Sequence, residues 1–386
     1  MWDASFRLLL GLCPAFFFCC TGKTLTSGTE PLTTPPVLAE SWKVYVQKFI
    51  QEDGRVIDHK GGGISTSEGQ AYAMLRAVWM RDREVFDKTF DWARNNLNSA
   101  IRRDRLWAWK WGRNEQGRWM VLDKAFASDA DQDAALALIA AWEVWQDARY
   151  LNHARAMLAD LWSEGTMVVN HRRYLLAGDT LCEGSNCRLN PSYCAPYAYR
   201  VFARYDKERN WSELVESSYT LLEEVSRLSP AHLPTDWIWL NRTSGRISLG
   251  HDRESRFSYD AFRTFWRVAL DLELFDEPRA RRYLETSLKW LEAEWNRHHR
   301  LPAVMSKEGR PLADYESPEM LGGLLPAMRA MRPKIAGAMR QRLDGYYQGG
   351  IWFDAESYYI QNWVWFGIAL DDRWLGALER FRLFGR

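Results

Sequence analysis

An excess of either charge is missing from this chain. Lys and Arg number 51 against 50 Asp and Glu, which leaves a net charge of +1 over 386 residues. Without a basic surplus there is no electrostatic footprint for nucleic acid, and a neutral polymer is the better partner. A long apolar run is missing too. The longest, Leu8 to Cys20, is too short to span a bilayer comfortably. Histidine is scarce at 7, and none stands beside the richest acidic motif, which argues against a transition-metal site there. Convincing strands are few, and no short repeat of the solenoid kind recurs. Cysteine numbers 6, and only Cys182, Cys187 and Cys194 lie beyond the N-terminal apolar run. An oxidising compartment can close one disulfide among these three, with the pairing open.

What is present describes a large folded core. The chain is 47% hydrophobic and 26% charged, too apolar for disorder. Tryptophan stands out at 21 residues, beside 16 Tyr and 17 Phe. Its flat apolar face and polar N–H suit sugar rings, although large helical cores also use it. Arg7 followed by the apolar run predicts a signal peptide over 1–22, and residues 23–37 a Thr/Ser/Gly/Pro-rich linker. The protein is therefore expected to be exported, to the periplasm or beyond. Lipidation at Cys19 or Cys20 ranks below simple secretion, because Phe16 to Phe18 fit a lipoprotein cleavage site badly.

From Leu38 onward the period is helical. Apolar spacing predicts helices over 39–53, 67–81, 83–98, 128–147, 149–163, 191–206, 209–228, 257–271, 277–297, 317–330, 333–347, 356–370 and 372–383. Trp107 to Trp111 alternates as a strand does, and 173–176 more weakly. Long loops precede every second helix and short turns follow it, which predicts six inner helices inside six outer ones. That is an all-α (α/α)6 barrel with long loops forming a cleft on one face, in a single domain over 38–386. Thirteen helices exceed the required twelve by one.

Six inner-helix starts open with polar clusters, at Ser67, Ser128, Asn190, Ser258, Ser317 and Ser357. Three of them carry acids. Glu68 follows the capping hydroxyls of 65–67 and is flanked by glycines, so it is either a cap glutamate or a group with room for a ligand. Asp129, Asp131 and Asp133 alternate at the next start. They do not form an EF-hand, because Ala134 and Ala140 occupy the required glycine and acid positions. Three are more than a cap needs, so at least one is free to meet a ligand, and Asp131 is counted among the substrate contacts. Asp260 lies one turn from Arg263, as a surface ion pair or as a base oriented by its arginine.

Residues 127–145 resemble the signature of glycoside hydrolase family 8, with Ala134 departing from the usual Ile or Met. Ser67-Glu68-Gly69, Asn190-Pro191-Ser192-Tyr193 and Tyr259-Asp260-x-x-Arg263 are similar to that family's motifs in the same order. Within the family, the chain resembles the periplasmic endoglucanases that accompany bacterial cellulose synthesis. The resemblance implies an (α/α)6 barrel and inverting hydrolysis of β-1,4-glucan. It implies Glu68 as general acid, Asp260 as general base and Asp129 as the group that distorts the sugar. Arg263 would position Asp260. Tyr193, Tyr259, one of Trp107, Trp109 and Trp111 (with Trp109 and Trp111 favoured), and Tyr358 or Tyr359 (with Tyr359 favoured) would line the cleft. Inversion needs the two carboxyls about 6.5–9.5 Å apart. No metal or cofactor is implied. The partner is the glucan, with a cellulose synthase or export complex as a possible second, and a monomer is expected. A xylanase or chitosanase of the same fold, a non-catalytic glucan-binding protein and a terpene-cyclase-like barrel are the alternatives.

Overall fold

Prolines and small hydroxyl residues set where the helices begin. The computed structural model describes residues 34–179 and 181–382. The expected signal peptide and most of the expected linker lie outside the described residues. Thirteen α-helices are present among them: α1 Pro36–Phe49, α2 Ser67–Trp79, α3 Arg83–Ala93, α4 Ser128–Trp145, α5 Ala148–Glu164, α6 Pro196–Tyr205, α7 Ser212–Leu228, α8 Arg263–Phe275, α9 Pro278–His298, α10 Pro318–Met331, α11 Pro333–Gly345, α12 Tyr358–Asp371 and α13 Glu379–Arg382. Pro occupies the first or second position of α1, α6, α9, α10 and α11, where its missing N–H costs nothing. Thr66, Ser317 and Ser357 accept the backbone N–H of Gly69, Met320 and Ile360 and cap α2, α10 and α12.

The even-numbered helices from α2 to α12 close a ring in sequence order, α12 packing back on α2. Each is backed by one outer helix: α3 on α2, α5 on α4, α7 on α6, α9 on α8, α11 on α10 and α1 on α12. This is the (α/α)6 barrel. The thirteenth helix and the 3-10 turn Gly376–Leu378 pack on α8, α2 and α4, with Gly376 against Trp79 at the C-terminal end of α2. They close the end opposite the inner-helix starts.

α10 and α12 approach closely because both are glycine at the contact. A Cβ on Gly367 would lie 2.1 Å from the Gly322 carbonyl oxygen. The barrel is filled by aromatics: Trp363 meets Tyr72, Phe262 and Trp266 edge-on at 5.6, 5.4 and 5.8 Å. Trp79, Trp107, Trp211, Trp352, Trp363 and Trp365 are among the largest fully buried side chains, so much of the tryptophan surplus is core.

The long connections carry short strands. The two expected ones are present with ends shifted by a residue or two, as β2 Ala108–Arg113, which leaves out Trp107, and β5 Arg172–Leu175, which leaves out Leu176. β2 pairs with β1 Ser65–Thr66 and β3 Trp119–Phe126, and β5 with β4 Thr166–Val169. β6 Cys182–Glu183, β7 Asn186–Leu189, β8 Ile238–Asn241 and β9 Ile247–Leu249 form an antiparallel sheet. A disulfide joins Cys182 to Cys187, while Cys194 is buried and free. The helix expected over 372–383 is a 3-10 turn at Gly376–Leu378 followed by α13, and two inner-helix starts differ from the expectation. Asn190 caps a 3-10 turn at Pro191–Tyr193, and α6 begins only at Pro196. Ser258 to Phe262 form turns, so α8 begins at Arg263 rather than 257. No described helix is long and apolar enough to cross a membrane.

Candidate active site

Three of the inner-helix starts meet on Arg263. Its Nη1 donates to Glu68 Oε2 at 2.7 Å and to Asp129 Oδ2 at 3.1 Å. Its Nη2 donates to Asp260 Oδ1. Three acids, from α2, from α4 and from the turn before α8, thus share one guanidinium whose side chain is 2% exposed. The planar fork of arginine suits this, because it offers donors in two directions. The guanidinium also lies over the Tyr193 ring, 5.4 Å from its centroid.

The three carboxyls differ in access. Glu68 is 20% exposed, Asp260 30% and Asp129 only 3%. Glu68 Oε1 accepts the hydroxyl of Tyr358 at 2.9 Å, and that hydroxyl also meets Thr66 at 3.2 Å. Burial raises the Glu68 pKa from 4.5 to about 7, Asp129 adding to it and Arg263 opposing it. Burial likewise raises Asp129 above its ordinary value. Burial keeps the phenols of Tyr72, Tyr193, Tyr358 and Tyr359 protonated, their pKa values well above 10.0. The site therefore holds a carboxyl whose pKa is raised to about 7 beside a second, more exposed acid on the same arginine. That arrangement can give a proton on one side of a bond and take one on the other.

Asp236, on the loop before β8, had no signal in the sequence. Its Oδ1 accepts the backbone N–H of Ser258, Asp260 and Ala261 at 3.1, 3.3 and 2.9 Å, and Oδ2 accepts the Ser258 hydroxyl. It clamps the turn that presents Asp260. Burial and the neighbouring Asp260 push its pKa to about 7.

Other expected contacts divide. Tyr359 and Tyr259 stand together, the Tyr359 hydroxyl donating to the Tyr259 carbonyl at 2.6 Å. Tyr259 is 40% exposed and its hydroxyl meets that of Tyr315 at 3.0 Å, a residue absent from the sequence reading. Trp237, also unforeseen, packs on Tyr193 with centroids 6.1 Å apart. Asp131 does not join the cluster. It is fully buried and its Oδ1 holds the Trp107 N–H at 2.9 Å, which fixes the hairpin rather than a ligand. Trp107 is itself buried, and Trp111 is engaged by Trp119, Trp92 and Arg55, its ring stacked 4.9 Å from Trp119. Trp109 is half-buried beside Lys110, outside the bonded cluster. Glu316 ties Leu301 and Arg342, and Ser317 caps α10, so that start is structural. Among the described residues, no three His, Cys, Asp or Glu side chains are grouped to hold a metal ion.

Residues 27–296 match the family described as glycosyl hydrolases family 8. The chain is 34% identical over 233 residues to an endoglucanase of Escherichia coli, covering 60% of this chain and 62% of that protein. It is 30% identical to an endoglucanase of Xanthomonas axonopodis, over 89% of this chain and 87% of the relative. The solved endo-β-1,4-glucanase of Acetobacter xylinum superposes with a TM-score of 0.70 at 25% identity, over 88% of this chain and all of that one.

Proposed function

The chain belongs to the glycosyl hydrolases of family 8, and from that premise we propose that it is an endo-β-1,4-glucanase that inverts the anomeric centre it cleaves. Glu68 is the general acid. Its raised pKa keeps a proton available near neutral pH, and Tyr358 fixes the direction in which the carboxyl points. Asp260 is the general base. It stands on the other arm of Arg263 and activates water for attack on the opposite face of the sugar. Asp129, almost out of solvent, accepts a hydrogen bond from the sugar at the cleavage point and holds it distorted. Tyr193, Tyr259 and Tyr359 supply the aromatic walls nearby. The single observation that carries this reading is the meeting of Glu68, Asp129 and Asp260 on Arg263.

Two observations support export. The N-terminal run has the makeup of a signal peptide, and Cys182–Cys187 is a disulfide, which persists in oxidising compartments. The test of function is reducing-sugar release from carboxymethylcellulose by wild type, Glu68→Gln and Asp260→Asn, with xylan and chitosan run beside it. Wild type should act on the glucan first and both variants should lose activity. Full activity in either variant removes that residue from its role. Faster cleavage of xylan or chitosan replaces the substrate.

A further inference from the structure

Beneath the acid cluster lies a second acid–arginine contact that no step of the proposed reaction touches. Asp133 is one helical turn below Asp129 on α4, and Arg267 one turn below Arg263 on α8. Residues four apart share a helix face, so the two pairs form two rungs between the same helices. Those helices are not sequential in the ring, because α6 stands between them. The upper rung is the single Arg263–Asp129 bond of 3.1 Å. The lower rung is bidentate, with Arg267 Nη1 and Nη2 donating to Asp133 Oδ1 and Oδ2 at 2.9 and 2.8 Å. Nη1 also donates to the Tyr197 hydroxyl of α6 at 2.8 Å.

We propose that Asp133 and Arg267, steadied by Tyr197, are positioning residues that set where Arg263 meets Asp129, an inference that rests on the functional reading above. The pair is 3% and 1% exposed, and Arg267 Nε is buried without a hydrogen-bond partner. Taking two charges out of water costs as much as their attraction returns, and apolar replacements are often no less stable. Stability alone is therefore a weak reason for the pair. A bidentate fork does something an apolar contact does not: it admits one relative height and one rotation of its two carriers. Fixing α8 against α4 at this level fixes the guanidinium one turn above. A displacement of about 1 Å at a reacting centre lowers turnover on the order of a hundredfold.

The test is the double variant Asp133→Leu/Arg267→Met, which leaves the net charge unchanged. With carboxymethylcellulose, kcat should fall about tenfold or more. KM should stay within about twofold, and the melting temperature near that of wild type, because a packed apolar pair replaces the ions. In its crystal structure the Arg263–Asp129 contact, 3.1 Å here, should open past hydrogen-bonding distance, about 3.5 Å. A folded double variant with wild-type kcat and an intact upper rung overturns the proposal. If the double variant does not fold, Arg267→Lys takes its place, since it keeps the charge but loses the two-pronged fork, and an unchanged kcat with an unchanged upper rung overturns the proposal equally. A wild type that cleaves no glucan overturns the functional reading instead, and the crystallographic length of the upper rung still decides the pair.

Discussion

Replacing Glu68 by Gln should abolish cleavage and at the same time stabilise the protein at alkaline pH. Folding raises the pKa of this carboxyl from 4.5 to about 7, chiefly by burial. The folded state therefore binds the proton more tightly than the unfolded state does. Wild-type stability is fully present below pH 4.5 and is lost as pH rises to about 7, after which the difference is constant. Each pKa unit corresponds to about 1.4 kcal/mol, so the loss over this window is on the order of 3 kcal/mol. Gln is neutral throughout, nearly the same shape, and still offers an oxygen to Arg263 Nη1 and an amide to the Tyr358 hydroxyl. Its stability relative to wild type should grow by that amount between pH 4 and pH 8. Urea unfolding of both proteins at several pH values measures the difference, and reducing-sugar release measures activity. A stability difference that does not change with pH, or moves the other way, refutes the claim that burial holds the Glu68 proton.

Further outcomes follow from single contacts. Tyr358→Phe removes a hydrogen bond that lowers the Glu68 pKa, so the alkaline limb of the pH–rate profile should move to higher pH. A limb that stays or moves down assigns it to another group. Asp131→Asn keeps an oxygen for the Trp107 N–H and should retain activity within about threefold, whereas Asp129→Asn should lose on the order of a hundredfold, as removal of a group that contacts the transition state does. Equal losses in the two variants would return Asp131 to the cleft. Opening the short Cys182–Cys187 loop with a double Ser variant should cost at most about 2 kcal/mol in denaturant unfolding and leave kcat unchanged. A large drop in kcat would tie that hairpin to the reaction.

Capping was legible because it is local chemistry: a hydroxyl at Thr66, Ser317 or Ser357 finds an N–H three residues on. The alternation of long and short connections, with the pairing of helices, then predicted the barrel. The Asp260–Arg263 contact was legible for the same reason, being one turn long. The arrival of Glu68 and Asp129 on that arginine had no local signal, since 195 and 134 residues separate them from it, and it rested on the expected barrel, whose inner-helix starts share one end, and on the family resemblance. The alternating acids misled for a definite reason. Spacing of two places side chains on one face of a strand, but on a helix it turns them apart. Asp129 and Asp133 therefore look toward α8, while Asp131 looks back to the hairpin. Asp236 carried no period or cap signal, because a loop carboxylate that gathers distant N–H groups is defined only by the folded chain. Tyr358 and Tyr359 are adjacent in one helix turn, so helix phase alone decides that Tyr358 is the one that reaches Glu68.

The account turns on a single displacement, with Glu68 giving a proton on one side of the bond and Asp260 taking one from water on the other. The anomeric form of the first product tests this most directly. Proton NMR of a soluble cello-oligosaccharide digest, recorded before mutarotation sets in, should show the α-anomer at the new reducing end. The β-anomer appearing first would require a covalent intermediate and would contradict the roles given to Glu68 and Asp260.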